Sequence, residues 1–335
     1  MRPLPNKTRV ISLVIMIILF LVVTPILVAY SLGYRVLDID SVFTLEKTGG
    51  IYVHSNIADT TVYLDGEFNK TNGNFFRNTL IQNLKPETDH VVEVQKEGYQ
   101  NWKKVLPVYS SLVTESRVLM IPKIVPQREV FPFVDVNGEG TTTVSVKAKI
   151  FKGKSVPTNE EYKNLMTLFE GKDIYATSTQ TKIIKSLNIG TIATTSTSTK
   201  DLPEYFVKLG IKDPKSLKNL IQNAQEISWL DNGNIILNWV GNETEIPYYY
   251  CLATGNCHEK ITLDWNDEIK KFDFLPGRND VFLVLVSTGL YAVEVDDRSE
   301  RNIQVVYTKN IDDFLIGPNN KIFVRDGDKF FELTI

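Results

Sequence analysis

The longest apolar stretch, Val10 to Tyr30, reads VISLVIMIILFLVVTPILVAY and carries no charge. As a helix rising ~1.5 Å per residue it reaches about 30 Å, the thickness of a bilayer's hydrocarbon layer. It predicts one membrane-crossing helix, mildly bent at Pro25. A cleaved signal peptide carries only about 7 to 15 apolar residues before a small-x-small site, and Tyr30-Ser31-Leu32-Gly33-Tyr34-Arg35 offers no clear one. The segment is therefore expected to stay attached. Arg2, Lys7 and Arg9 precede it without an acid among them, whereas Ser31 to Lys47 mixes Arg35 and Lys47 with Asp38, Asp40 and Glu46. The positive flank places residues 1–9 in the cytoplasm and exports the chain from about Ser31 onward. No other run compares: Val281 to Val286 is too short and is bounded by Asn279, Asp280 and Gly289.

From Gly49 to Pro122 the pattern changes to short β-type runs separated by turn signals: GGIYVHS, TVYLDGEF, VVEVQKEGYQNWKKVLPV and SRVLMIP. Val62 and Leu64 alternate with Tyr63, Asp65-Gly66 stands where a tight hairpin would turn, and Pro86-Glu87 marks another turn before Val91, Val92 and Val94. A small antiparallel sheet or sandwich with one buried face is expected. Tyr99 and Trp102, close together after Gly98, read as core pieces of that sheet, since aromatic side chains dominate core energetics; sugar stacking is the sharper alternative.

These residues resemble the PEGA domain, a β-rich module of bacterial and archaeal surface proteins. The likeness rests on Thr48-Gly49-Gly50-Ile51-Tyr52-Val53, on Val62-Tyr63-Leu64-Asp65-Gly66, and on Leu84-Lys85-Pro86 followed by Val91 to Lys96. Its most specific piece is Gly98-Tyr99-Gln100-Asn101-Trp102. Two turns depart from the family pattern: Glu87-Thr88 replaces the usual Gly after the turn proline, and Ile57-Ala58-Asp59 replaces Pro-Gly-Ala. The order of basic start, single span, Gly-Tyr-Arg stretch and this module is also similar to membrane-anchored envelope proteins of candidate-phylum bacteria, which often continue into propeller-like repeats. The resemblance implies an extracytoplasmic structural or ligand-binding module, with no catalytic residues to carry over.

Beyond Lys123 the clearest strand signal is Thr142 to Ile150, where Val144, Val146, Ala148 and Ile150 share one face. Asn159-Glu160-Glu161 predicts a capped helix over Tyr162 to Phe169, and Asp213-Pro214 predicts another over Lys215 to Gln225. Two Ser/Thr-rich stretches, Ala176 to Thr181 and Thr191 to Thr199, have almost nothing to bury. From Glu226 a weak repeat appears: a strand, a Gly/Asn/Pro turn and a second strand recur around Trp229, Phe274 and Leu315. Later strands are expected at Tyr248 to Leu252, Glu259 to Leu263, Leu290 to Val295 and Ile303 to Tyr307. A spacing of about 40 to 45 residues is that of propeller blades. The insertions leave room for only a small or degenerate propeller, with a two-sheet β domain as the alternative. An open last strand invites aggregation, so Lys329 to Ile335 is expected to pair with an earlier segment.

The fold class is thus mainly β. The chain divides into a cytoplasmic tip (1–9), a transmembrane helix (10–30), a linker (31–47), a PEGA-like β domain (48–122) and a propeller-like β domain with helical and Ser/Thr-rich insertions (123–335).

Composition narrows the chemistry. Lys plus Arg number 37 against 40 Asp plus Glu, a formal net charge of −3 without long basic runs, which argues against nucleic acid as a partner. Cys251 and Cys257 flank a Thr-Gly-Asn turn, so a hairpin in an oxidising compartment would join them in a disulfide. A metal reading would add His258, but zinc prefers four ligands and the nearby acids lack ligand spacing. Asp296-Asp297 and Asp312-Asp313 lack calcium-loop spacing and read as solvated turns. His54 and His90 accompany no nucleophile signature. No P-loop or dinucleotide fingerprint occurs. No catalytic, cofactor or metal residues are expected, and no enzyme.

The expected role is a membrane-anchored extracytoplasmic structural or binding protein of the cell envelope. It would be held in the lipid bilayer by one helix and would contact an envelope polymer or an envelope protein. The alternative is a membrane sensor or secretion-apparatus subunit acting through helix contacts. The absence of Gly from Val10 to Tyr30 favours the plain anchor.

Overall fold

The computed structural model describes residues 6–39, 42–73, 77–131, 159–170, 204–222, 225–251 and 256–335. The strand expected over Thr142 to Ile150 and both Ser/Thr-rich stretches lie outside these residues. The fold is mainly β, with one apolar N-terminal helix and several sheets. The chain separates into two compact units: the first is Met1–Glu97, Asn101–Met120 and Arg298–Glu300, the second Gly98–Gln100, Ile121–Asp297 and Arg301–Ile335.

In the first unit, helix α1 (Asn6–Ser31) includes Pro25, and over Lys7–Ser31 none of its most apolar window is buried. The stretch read as a linker holds an antiparallel hairpin of β1 (Tyr34–Ile39) and β2 (Val42–Lys47), which the charged positions there masked in the sequence. Two sheets follow. One orders β6 (Thr79–Leu84), β3 (Gly49–His54) and β9 (Val113–Arg117), with β3 and β9 parallel. The other orders β5 (Glu67–Thr71), β4 (Thr61–Leu64), β7 (Thr88–Gln95) and β8 (Trp102–Val108). Alternation drives the burial: Trp102, Lys104, Leu106 and Val108 are buried along β8, while Lys103 and Val105 between them are exposed. The parallel β3–β9 pair joins segments far apart in sequence, which no local pattern reveals.

In the second unit the described residues form three four-stranded antiparallel sheets. The first runs β11 (Lys218–Gln222), β12 (Glu226–Asp231), β13 (Asn234–Trp239) and β14 (Lys260–Leu263). The second runs β15 (Lys271–Phe274), β16 (Val281–Val286), β17 (Gly289–Glu294) and β18 (Ile303–Tyr307). All of β16 is buried, which explains its unbroken apolar run. Leu237, Trp239 and Leu263 join Phe272, Phe282 and Val284 in one core.

The third sheet takes its strands from both ends of the unit. β19 (Asp313–Ile316), β20 (Ile322–Asp326) and β21 (Lys329–Leu333) are followed in space by β10 (Gln127–Val130). Gln127 pairs with Leu333 and Val130 with Phe330, so the last strand meets an early one, as the open-edge argument requires. Helix α2 (Glu160–Phe169) starts at Asn159, whose side chain accepts from the Glu161 amide, and packs Leu165 against Val130, Phe323 and Phe330. Arg128 bridges Glu161 of α2 and Glu332 of β21. A short helix, α3 (Glu204–Lys208), precedes β11.

Three expectations shift. Asp213-Pro214 opens only a 3₁₀ turn, Pro214–Ser216, and Lys218–Gln222 is strand β11: pairing with β12 overrides local helix propensity. Tyr248–Tyr250 is a 3₁₀ turn, not a strand, because Tyr249 and Tyr250 both turn inward to one buried carboxylate. The repeated hairpin fills the middle of the first sheet but the leading strands of the other two, so similar sequence occupies different sheet positions.

Candidate functional site

The residues singled out for the PEGA resemblance serve turns and core. Gly50 lies in β3, where an added Cβ would stand 2.8 Å from the Ile81 carbonyl oxygen. Tyr63 meets Phe68 edge-on across the β4–β5 hairpin. Asp65 and Gly66 both take positive φ, 52° and 85°, the two-residue turn that matches strand twist. The Asp65 carboxylate accepts from the Val91 amide at 2.9 Å and pairs with His90 Nδ1 at 2.7 Å. Burial alone would raise the Asp65 pKa, but the His90 hydrogen bond, the Val91 amide and the His90 charge together hold it below the usual carboxylate range. His90 Nε2 lies 3.1 Å from Thr88 Oγ1, which donates to the Lys85 carbonyl. That hydroxyl is spent on the turn, and the chain of contacts ties β7 to the Asp65 hairpin.

Pro86 precedes Glu87, whose φ of 58° is left-handed; Asp59 has φ 55°. Both departures from the family pattern therefore fall on turns of the kind that glycine eases. Gly98 takes φ 81°, and Tyr99 bridges to Pro122 within the second unit. Trp102 is 1% exposed, a core residue of the first unit, whereas Tyr99 is half-buried.

In the second unit Cys251 and Cys257 are joined by a disulfide across an isolated antiparallel bridge. Among the described residues no three His, Cys, Asp or Glu side chains converge as a metal site. Asp297, half exposed, pairs with Arg301 and Asp313 with Lys271, while Asp296 is buried, so one carboxylate of the first acidic pair departs from the solvated turn expected: the segment just after β17 runs into the core.

The strongest electrostatic feature lies where β12 begins. Glu226 is 1% exposed and accepts hydrogen bonds from Tyr249 Oη at 2.8 Å and Tyr250 Oη at 3.2 Å. Burial pushes its carboxyl up to about 7 against the relief from the two phenols and the Asn279 side chain, and the nearby Asp280 charge adds to the rise. Burial, followed by the Glu226 charge, pushes both tyrosines up, so they remain donors. Asp280 is held by Arg278 through two hydrogen bonds, Nε to Oδ1 at 2.6 Å and Nη2 to Oδ2 at 2.7 Å, with both side chains buried. Glu294, also buried, accepts from Asn302 at 3.0 Å.

An open cleft of about 290 Å³ lies in the same unit. The loop from β14 to β15 supplies Asp264, Trp265, Asn266 and Asp267; β17 and its preceding turn supply Thr288 and Tyr291. The rings of Trp265 and Tyr291 are 6.0 Å apart at 53°, and Thr288 Oγ1 lies 3.0 Å from Tyr291 Oη. Asp264, Asn266 and Asp267 and the Trp265 indole N–H have no hydrogen-bond or ion-pair partner among the described residues. Neither this loop nor the Glu226 cluster was reached from the sequence. The one local signal was a tryptophan between acids and an amide in a turn.

Residues 48–118 match the PEGA domain family. No curated protein matches the sequence.

Proposed function

We propose that this chain is a membrane-anchored extracytoplasmic protein of the cell envelope, a binding or structural component and not an enzyme. One observation carries the reading: Lys7–Ser31 is a single helix whose most apolar window has mean hydropathy 3.1 and no burial, and it precedes the PEGA match in the chain. A helix that hydrophobic needs an apolar surrounding, and one bilayer crossing supplies it. Arg35 lies 3.6 Å from the centre of the Tyr30 ring and donates to the Tyr30 carbonyl, an aromatic and cationic pair suited to the outer membrane interface. The basic residues before the uncharged stretch that begins at Val10 support a cytoplasmic N-terminus.

The second unit is read as a degenerate propeller. Three four-stranded antiparallel sheets support this, the last completed by β10 from the start of the unit. On this reading the C-terminal sheets carry the binding surface. Alkaline carbonate extraction tests the anchor. The full-length protein is expected in the membrane pellet, and release into the supernatant would overturn the anchored reading.

A further inference from the structure

The Trp265 cleft has a chemistry that selects its ligand. Two carboxylates line it, Asp264 and Asp267, neither neutralised by a partner among the described residues, and none of its lining residues is basic. The nearby cation Arg301 is engaged elsewhere, with the Thr262 carbonyl at 3.1 Å and Asp297 at 3.2 Å. A site of this sign repels anionic groups and attracts cations. Trp265 and Tyr291, both of which line the cleft, add to that preference, because an ammonium group is drawn to an aromatic ring within about 6 Å of its centre.

A bare ammonium would need only acceptors. The cleft also offers donors, the Trp265 indole N–H and the Asn266 amide, together with the one hydroxyl proton that the Thr288–Tyr291 hydrogen bond leaves free. Donors beside carboxylates and rings suit a molecule that carries hydroxyl and ether oxygens as well as a positive amine. At about 290 Å³ the cleft stands near the lower limit of small-molecule sites, which begin at about 300 Å³, so it holds a single ring and not a long segment.

We propose that the Asp264–Trp265–Asn266–Asp267 loop and Tyr291 bind an amino-sugar unit of a glycan through its free ammonium group. The ring stacks on Trp265, the amine lies between Asp264 and Asp267, and Asn266 and the indole N–H donate to sugar oxygens. This rests on the binding half of the reading above and not on the anchor.

The test titrates full-length protein in detergent micelles with a glucosamine tetramer, its fully N-acetylated counterpart, a glucuronate oligomer and a tetralysine peptide. Calorimetry and tryptophan fluorescence follow the binding. The glucosamine tetramer is expected to bind saturably, at least about tenfold tighter than each of the other three. Trp265→Ala should weaken it about tenfold or more. Trp265 also packs on the core, so the surface double variant Asp264→Asn/Asp267→Asn provides a second reading: it should abolish the preference for the free amine over the N-acetylated form. No saturable binding of the glucosamine tetramer, equal binding of glucuronate or tetralysine, or an unchanged amine preference in the double variant would overturn the proposal. Protein that pellets with the membrane yet ignores these oligomers defeats this proposal alone; protein released by carbonate defeats the anchor alone.

Discussion

Two carboxylates, one in each unit, each accept at least two hydrogen bonds and respond in opposite directions. Asp65 sits on a turn of the first unit, half open to water, where a histidine and an amide hold its pKa down. Glu226 sits inside the second unit, where two neutral phenols and the Asn279 side chain do not compensate for lost hydration and the pKa climbs to about 7. The difference shows that the number of hydrogen bonds does not set a carboxylate's behaviour; access to water and the charge of the partner do.

The largest break of this contrast is expected at Arg278. Arg278→Ala removes the bidentate partner of buried Asp280 and should lower the stability of the second unit by about 3 to 5 kcal/mol, read by chemical denaturation. Glu226→Gln comes next. An acid whose folded pKa is raised contributes stability that is whole below its ordinary value of 4.5 and is lost as pH rises to about 7. Across that window the native protein should lose up to about 3 kcal/mol, and the variant should not. Asp65→Asn should lower stability at neutral pH by about 1 kcal/mol, with the opposite pH sense. The native carboxylate stabilises above pH 3.8 and fails as pH falls through its depressed value, so the variant should lose that acid sensitivity. The smallest effect is a gain: Glu87→Gly relieves a left-handed residue and should raise the melting stability by about 0.5 to 1 kcal/mol.

Local chemistry made much of the fold legible. Asp65-Gly66 announced its hairpin because only a few residues tolerate two successive positive φ values, and Asn159 announced α2 because an Asx side chain satisfies an orphan amide. The closing pair of β21 with β10 followed from the hazard of an open edge, although its partner strand could not be named. What escaped depends on distant chain segments. The strand at Lys218–Gln222 exists because β12 is beside it, and the inward turn of Tyr249 and Tyr250 exists because Glu226 waits there. The cleft was hidden for the same reason: Trp265 and Tyr291 lie on different elements, and no spacing along the chain brings their rings together.

The central claim, that one helix holds the protein while the rest lies outside the cytoplasm, is tested most directly by adding protease to intact cells and following the fragment downstream of Ser31. The account expects that fragment to be digested from outside, or after removal of any outer wall, while a cytosolic marker survives. Digestion only after the inner membrane is broken, together with the cytosolic marker, would contradict it.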